Sequence, residues 1–352
     1  MRDVIAIDAS DRQFYGNQLF EQSNAGFYPG LGSIISFKKI AENAGFQVIT
    51  ADLAGQLGID PRRIMVISSE RLNFSKMLAG RGGLLSALIC FETPSFAWHF
   101  YHNLDRISSD FRHVFLFPGA APRLRRSKAH FHPQLFPQPF RQIQESGRKP
   151  WEERKFAAMV HYNRVRRIIK PGHIIAAFND PDLRGELYSE RRKAIRYFSG
   201  RDGFHLYGGG WDKLIFGVSY GDYRAGLKCY QGKCQNKIDT LSDYRFSICY
   251  ENAIFPGYIT EKIFDCFYAG CIPVYLGAPD VQDYIPRECF IDKRQFKTYR
   301  ELDRYLLNID KKGFSDYHRA IDNFLRSEQF LPFYQETFAR DLLNAVKECS
   351  EA

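Results

Sequence analysis

The chain has 352 residues, of which 45% are hydrophobic and 25% charged, a length that favours two domains and a composition that excludes disordered, collagen-like and coiled-coil classes. No apolar run approaches the roughly 20 residues of a membrane-spanning helix, the nearest being residues 83–91. The net charge of +9, from 49 Lys and Arg against 40 Asp and Glu, suits a polyanion: nucleic acid, anionic lipid or a phosphorylated small substrate.

The chain opens Met-Arg-Asp and then Val4-Ile5-Ala6-Ile7-Asp8, too short and too soon charged for a signal peptide, so it reads as a first strand. Short apolar, β-branched runs at residues 46–49, 64–68, 84–91 and 114–117 alternate with helix-like stretches. Strands separated by helices imply a parallel sheet with crossover helices. Residues 130–151 carry Pro133, Pro137, Pro139 and Pro150 with little periodicity, and the linker is placed near 132–151. A second series follows, with strands at 155–161, 173–178, 204–207, 246–250 and 272–276 and helices at 184–198 and 259–269. Residues 330–349 form a helix with one apolar face. The expected architecture is α/β: two Rossmann-like domains facing across a cleft, 1–150 and 151–330, with a C-terminal helix in 331–352 packing on one of them.

Basic clusters at Arg123-Leu124-Arg125-Arg126 and Arg164-Val165-Arg166-Arg167 carry no aromatic interleaving or nucleic-acid motif, so they read as solvated surface, with a membrane-surface role second. The eight cysteines sit mostly inside apolar runs and read as reduced, buried thiols. Cys229 and Cys234 lack a second pair or a His cluster to complete a zinc set. The expected compartment is a bacterial-type cytosol, with peripheral contact at an anionic inner membrane face as the secondary reading.

The segment richest in chemistry runs Tyr250-Glu251-Asn252, then Tyr258-Ile-Thr260-Glu261-Lys262, and reads as strand, loop, helix. A loop at the carboxyl end of a strand in an open α/β sheet faces the ligand crevice, and the next helix presents unpaired backbone N–H groups and a positive dipole end. Lys262 falls in that first turn, where an anionic group, most naturally a pyrophosphate, would be held. Taken alone, the same residues describe an ordinary helix start, with Thr260 as cap and Glu261 and Lys262 exposed. Gly270 stops the helix and residues 272–276 return as a strand.

The string Tyr-Glu-Asn, six residues, Thr-Glu-Lys, followed by Ala269-Gly270-Cys-Ile-Pro273-Val-Tyr-Leu-Gly277-Ala-Pro279, resembles the donor-binding motif of glycosyltransferase family 10, the α1,3/α1,4-fucosyltransferases, and specifically a soluble, bacterial-type member. Arg191, at its distance from Tyr207-Gly208, is similar to the family's arginine-bearing helix, with Arg192 as the adjacent alternative. Phe91-Glu92-Thr93-Pro94-Ser95 resembles the family's Glu-Ser-Pro-Ser element. The resemblance covers roughly residues 88–290, while the stretch 165–190 departs from shorter members.

The resemblance implies a GT-B fold and an inverting transfer of L-fucose from GDP-fucose to a hydroxyl of an oligosaccharide, α1,3 or α1,4 to N-acetylglucosamine or glucose. Glu92 is the implied base; Arg191 and Lys262 neutralise the departing diphosphate; Asn252, Tyr258 and Glu261 meet the nucleotide or sugar; Glu251 orients the fucose ring. No cofactor is obligatory and no metal is required, since Asp180-Pro-Asp182 reads as turn chemistry. The partners are GDP-fucose and a glycan or glycoconjugate acceptor, with no nucleic acid. The alternative is a non-catalytic nucleotide-sugar or glycan-binding protein of the same fold.

Overall fold

The computed structural model describes residues 2–25, 30–139, 149–165 and 180–350. The chain divides into two compact units, residues 1–140 with 331–352 and residues 141–330. The strand expected at 173–178 and the basic residues Arg166 and Arg167 lie outside the described residues.

The first unit holds β1 (Val4–Asp8), α1 (Leu31–Asn43), β2 (Gln47–Thr50), β3 (Ile64–Ser68), β4 (Leu84–Ile89), β5 (His113–Leu116) and β6 (His130–Pro133). They form a parallel sheet in the order β2-β1-β3-β4-β5-β6. All five residues of β1 are buried, because both faces of the sheet are covered. Ile5 and Ile7 meet Phe37 and Ala41 of α1, while Val4 and Ala6 face Val66 and Leu78. Each such aliphatic or aromatic side chain contributes roughly 1.5–3 kcal/mol by leaving water.

The second unit holds β7 (Lys155–Val160), α2 (Tyr188–Phe198), β8 (Phe204–Tyr207), α3 (Tyr220–Cys229), α4 (Lys237–Ser242), β9 (Tyr244–Tyr250), α5 (Glu261–Ala269), β10 (Ile272–Leu276), β11 (Ile291–Asp292), α6 (Tyr299–Asn308) and α7 (Lys311–Arg326). Its described strands run β11-β10-β9-β7-β8, again parallel. Counted from the first strand of each unit, both sheets follow the doubly wound order 2-1-3-4-5, and β6 extends the first. The last helix, α8 (Gln335–Ser350), belongs to the first unit, where Phe338, Leu342 and Val346 join the cluster around α1.

Two expectations change. The proline-rich stretch is not linker in its first half: β6 pairs with β5, and Leu135, Phe136 and Gln138 are buried. Gln138 N–H donates to Phe333 O at 2.6 Å and Gln138 O accepts from Gln335 N–H at 2.9 Å, so this strand edge is tied to the segment leading into α8. The helix expected from residue 184 starts at Tyr188 instead. Glu186 accepts from the Tyr188 and Ser189 N–H groups at 2.6 and 3.3 Å, and a carboxylate on those orphan donors fixes the start. Before it, Asp180 accepts from Asp182 N–H at 3.1 Å to begin a separate 3-10 turn, Pro181–Arg184, the turn role expected of the Asp-Pro-Asp string.

The eight cysteines are free thiols and all but Cys234 are buried, so Cys229 and Cys234 form no disulfide. Gly270 takes φ 64° at the end of α5, the left-handed cap that its residue type permits without strain.

Candidate active site

In the second unit the strand order reverses between β7 and β9, and a doubly wound sheet takes ligands at the carboxyl ends of such strands. Residues 161 and 251–252 follow those ends, with α5 starting a few residues beyond the second. The six residues marked for this side by the sequence pattern, Arg191, Glu251, Asn252, Tyr258, Glu261 and Lys262, gather here.

Glu251 is fully buried. Its carboxylate accepts from Thr260 N–H at 2.7 Å and from the Thr260 hydroxyl at 2.8 and 3.0 Å, and it faces Lys262 Nζ at 3.2 Å. A carboxylate so engaged and so enclosed braces the start of α5. Thr260 and Lys262 are correspondingly not an ordinary exposed helix start. The Thr260 hydroxyl turns back to Glu251 and makes no cap hydrogen bond within α5, and the Lys262 side chain is only 11% exposed.

Lys262 Nζ also donates to the Thr260 hydroxyl at 2.9 Å and lies 3.4 Å from Glu261. Burial works against its charge, but Glu251 and Glu261 outweigh burial and hold the ammonium protonated well above the usual lysine range. Burial likewise pushes the Glu261 carboxyl up, yet Lys262 and Lys237 reverse it and the net shift is downward. Both groups are therefore charged at neutral pH, and both are half-buried.

Arg191 is 3% exposed. Its Nη2 donates to Tyr250 O at 2.7 Å and to Asn252 Oδ1 at 3.0 Å, while its Nε is buried without a partner. Among the described residues no carboxylate lies in ion-pair range of it. A guanidinium taken out of water without a counter-charge is costly, and such a group at a switch point is what an anionic ligand would satisfy. Arg192, the adjacent candidate, turns away: it donates to Arg164 O at 3.1 Å and faces Asp222 at 3.9 Å. Asn252 Nδ2 reaches the Tyr258 hydroxyl at 3.4 Å, and Tyr258 itself is buried at 3% exposure, so its first role is packing behind the loop.

The structure adds residues that the sequence pattern missed. Lys237, at the start of α4, pairs with Asp265 of α5 at 2.8 Å, and Asp265, Glu261 and Lys262 all act on its charge. His161 follows β7 directly. The signal that could have found it is position alone, a polar residue just past the first strand of a doubly wound unit.

The first unit presents its own carboxyl edge. Glu92 lies three residues beyond β4 and is exposed, its backbone O accepting from the Tyr101 hydroxyl at 2.8 Å. Glu70, two residues beyond β3, was not singled out by the sequence; burial pushes its carboxyl above the usual range. Both carboxylates act on the buried Cys90 thiol, so they share one end of neighbouring strands. Among the described residues no group of three or more His, Cys, Asp or Glu could hold a metal ion.

The family described as "Glycosyltransferase family 10 (fucosyltransferase) C-term" matches residues 212–337, the stretch holding Lys237, Glu251, Asn252, Tyr258, Glu261 and Lys262. Residues 212–337 are thus similar to the C-terminal domain of glycosyltransferase family 10. Among its relatives, 4-galactosyl-N-acetylglucosaminide 3-alpha-L-fucosyltransferase 9 of Mus musculus is 31% identical over 142 residues, 40% of this chain and 33% of the mouse protein. Alpha-(1,4)-fucosyltransferase of Arabidopsis thaliana is 38% identical over 80 residues, 22% of this chain and 20% of that protein. The aligned region thus spans a third or less of either relative.

At the level of fold the likeness is wider. A crystal structure of α1,3-fucosyltransferase superposes with a TM-score of 0.50 at 16% identity, covering 99% of this chain and 90% of that one. A glycosyltransferase from Rickettsia africae ESF-5 gives 0.56 at 10% identity, covering 98% and 97%. The chain therefore has the two parallel-sheet units of GT-B glycosyltransferases, and the family match covers the Lys262 side of the site, while Arg191 lies ahead of it in the chain.

Proposed function

We propose that this protein transfers L-fucose from GDP-fucose to a hydroxyl of an oligosaccharide with inversion, forming an α1,3 or α1,4 linkage to N-acetylglucosamine or glucose. The observation that carries the reading is Arg191: a buried guanidinium with no carboxylate in ion-pair range among the described residues, beside Lys262 at the switch point of the second unit. Such a cation placed before the reaction begins stabilises growing negative charge more than it stabilises the bound donor. As the sugar C1–O bond breaks, its electron pair passes to the β-phosphate oxygen, and Arg191 and Lys262 receive that charge. Glu92 takes the proton of the acceptor hydroxyl as the new C1–O bond forms on the opposite face. Glu261 accepts from ribose hydroxyls, and Asn252, held by Arg191 and Tyr258, faces the nucleotide sugar.

Calorimetric titration with GDP, GDP-fucose, GDP-mannose and UDP-glucose in metal-free buffer tests the donor, with released GDP followed in the same samples. Selective binding of GDP-fucose with slow GDP release is the expected result. Equal affinity for UDP-glucose removes the fucosyl donor assignment, and binding without any turnover on a panel of oligosaccharides leaves a nucleotide-sugar-binding protein.

A further inference from the structure

His161 belongs to no motif that defines the family resemblance, yet the fold spends several contacts on holding it. Its N–H donates to Tyr207 O at 2.9 Å and its carbonyl accepts from Trp211 Nε1 at 2.6 Å. Gly208 sits at φ 122° against that same carbonyl, where a Cβ would overlap the His161 oxygen. Two residues on, Asn163 is bound to the Gly209 and Gly210 carbonyls at 2.9 and 3.0 Å. The backbone at the carboxyl end of β7 is thus clamped from the β8 side, which fixes where the imidazole is attached.

That place is the switch point. The imidazole is half-buried, and no described residue hydrogen-bonds either ring nitrogen. The charged groups that act on it are Arg191 from α2, Lys262 from α5 and Lys237 from α4. The carboxylates of the same cluster are already engaged by the lysines, Glu251 and Glu261 by Lys262 and Asp265 by Lys237. Burial first, then the three cations, push the imidazole well below the usual histidine range, so it is neutral at pH 7. A diphosphate placed among these cations reverses the local field, and the same ring then favours its protonated form.

We propose that His161 is a further diphosphate ligand, which takes up a proton when a nucleoside diphosphate binds and donates a hydrogen bond to the oxygen that leaves with it. The sugar C1–O bond breaks with its electron pair on that oxygen, the acceptor proton goes to Glu92, and the imidazolium keeps its proton until the diphosphate departs. This inference rests on the proposed reading as far as a nucleoside diphosphate occupying this site.

The test is calorimetric titration of GDP into the full chain at pH 7 in buffers of different ionisation enthalpy, for wild type and His161→Asn. Wild type is expected to take up about one proton per GDP, and the variant to lose that uptake and to bind GDP about ten-fold more weakly. A wild-type enthalpy independent of buffer, or an uptake unchanged in the variant, overturns the role of His161 while leaving the donor assignment in place. Absence of GDP binding to wild type overturns both.

Discussion

The two units share one strand order but differ at the carboxyl ends of their sheets. In the second, α2, the loop after β9, α4 and α5 gather three cations with three carboxylates, and the pairing is uneven: Lys262 has two acidic partners, while Arg191 has none in ion-pair range among the described residues. In the first, Glu70 and Glu92 follow β3 and β4, and Asp8, fully buried, spends its carboxylate on the Phe74 and Ser75 N–H groups at 2.8 Å. One scaffold therefore supports two chemistries. A helix start with buried cations suits an anion, whereas carboxylates at strand ends suit a proton, and the sheet determines only where each is placed.

The sharpest way to break this division of labour is Glu92→Gln. Turnover should fall by roughly 10²- to 10⁴-fold while GDP affinity by calorimetry stays at the wild-type value. Near-normal turnover would move the base to Glu70, which Glu70→Gln would then report. On the other side, Arg191→Met should weaken GDP binding by about 100-fold or more. Because the wild-type guanidinium is buried with no ion pair among the described residues, the melting temperature should change little; a collapse of the fold would make Arg191 a structural residue.

Lys262→Ala should raise the GDP dissociation constant about ten-fold and, unlike the arginine change, should also destabilise the protein. It leaves Glu251 buried beside no cation, a change that typically costs about 3–5 kcal/mol. Denaturant titration separates the two variants. The smallest effect belongs to Glu70. Its folded value is raised by burial from the ordinary 4.5, so the folded state disfavours the ionised form: stability is fully present below that value and is lost as pH rises through the folded one. Glu70→Gln should therefore melt a few degrees higher than wild type at pH 7, with the gap closing below pH 4.5. A gap of constant size across that range would mean that Glu70 titrates normally.

Much of this site was legible before any coordinates. Apolar runs of four to seven residues located the strands because a sheet covered on both faces buries every side chain, as in β1, and Gly270 marked the end of α5 by its tolerance of positive φ. Spacing carried the Glu251 to Lys262 segment, since Asn252, Glu261 and Lys262 are near neighbours along the chain. Other boundaries were hidden by particular contacts. Nothing local to 184–187 announces that Glu186 will cap Tyr188 and delay α2, and β6 was lost among prolines because its partner, β5, lies outside the local pattern.

The sequence by itself determined the class of fold, two αβ series of parallel strands, and the order of polar groups in the Glu251 to Lys262 loop, because propensity, alternation and turn chemistry act over a few residues. Only the tertiary structure buried Arg191 and turned Arg192 toward Asp222, tied Glu251 to Thr260 and Lys262, and brought His161 and Lys237 beside Lys262. Those outcomes depend on which way a helix face is turned and which strand ends meet. The crossover connections of the sheet set both by joining residues that are far apart in the chain.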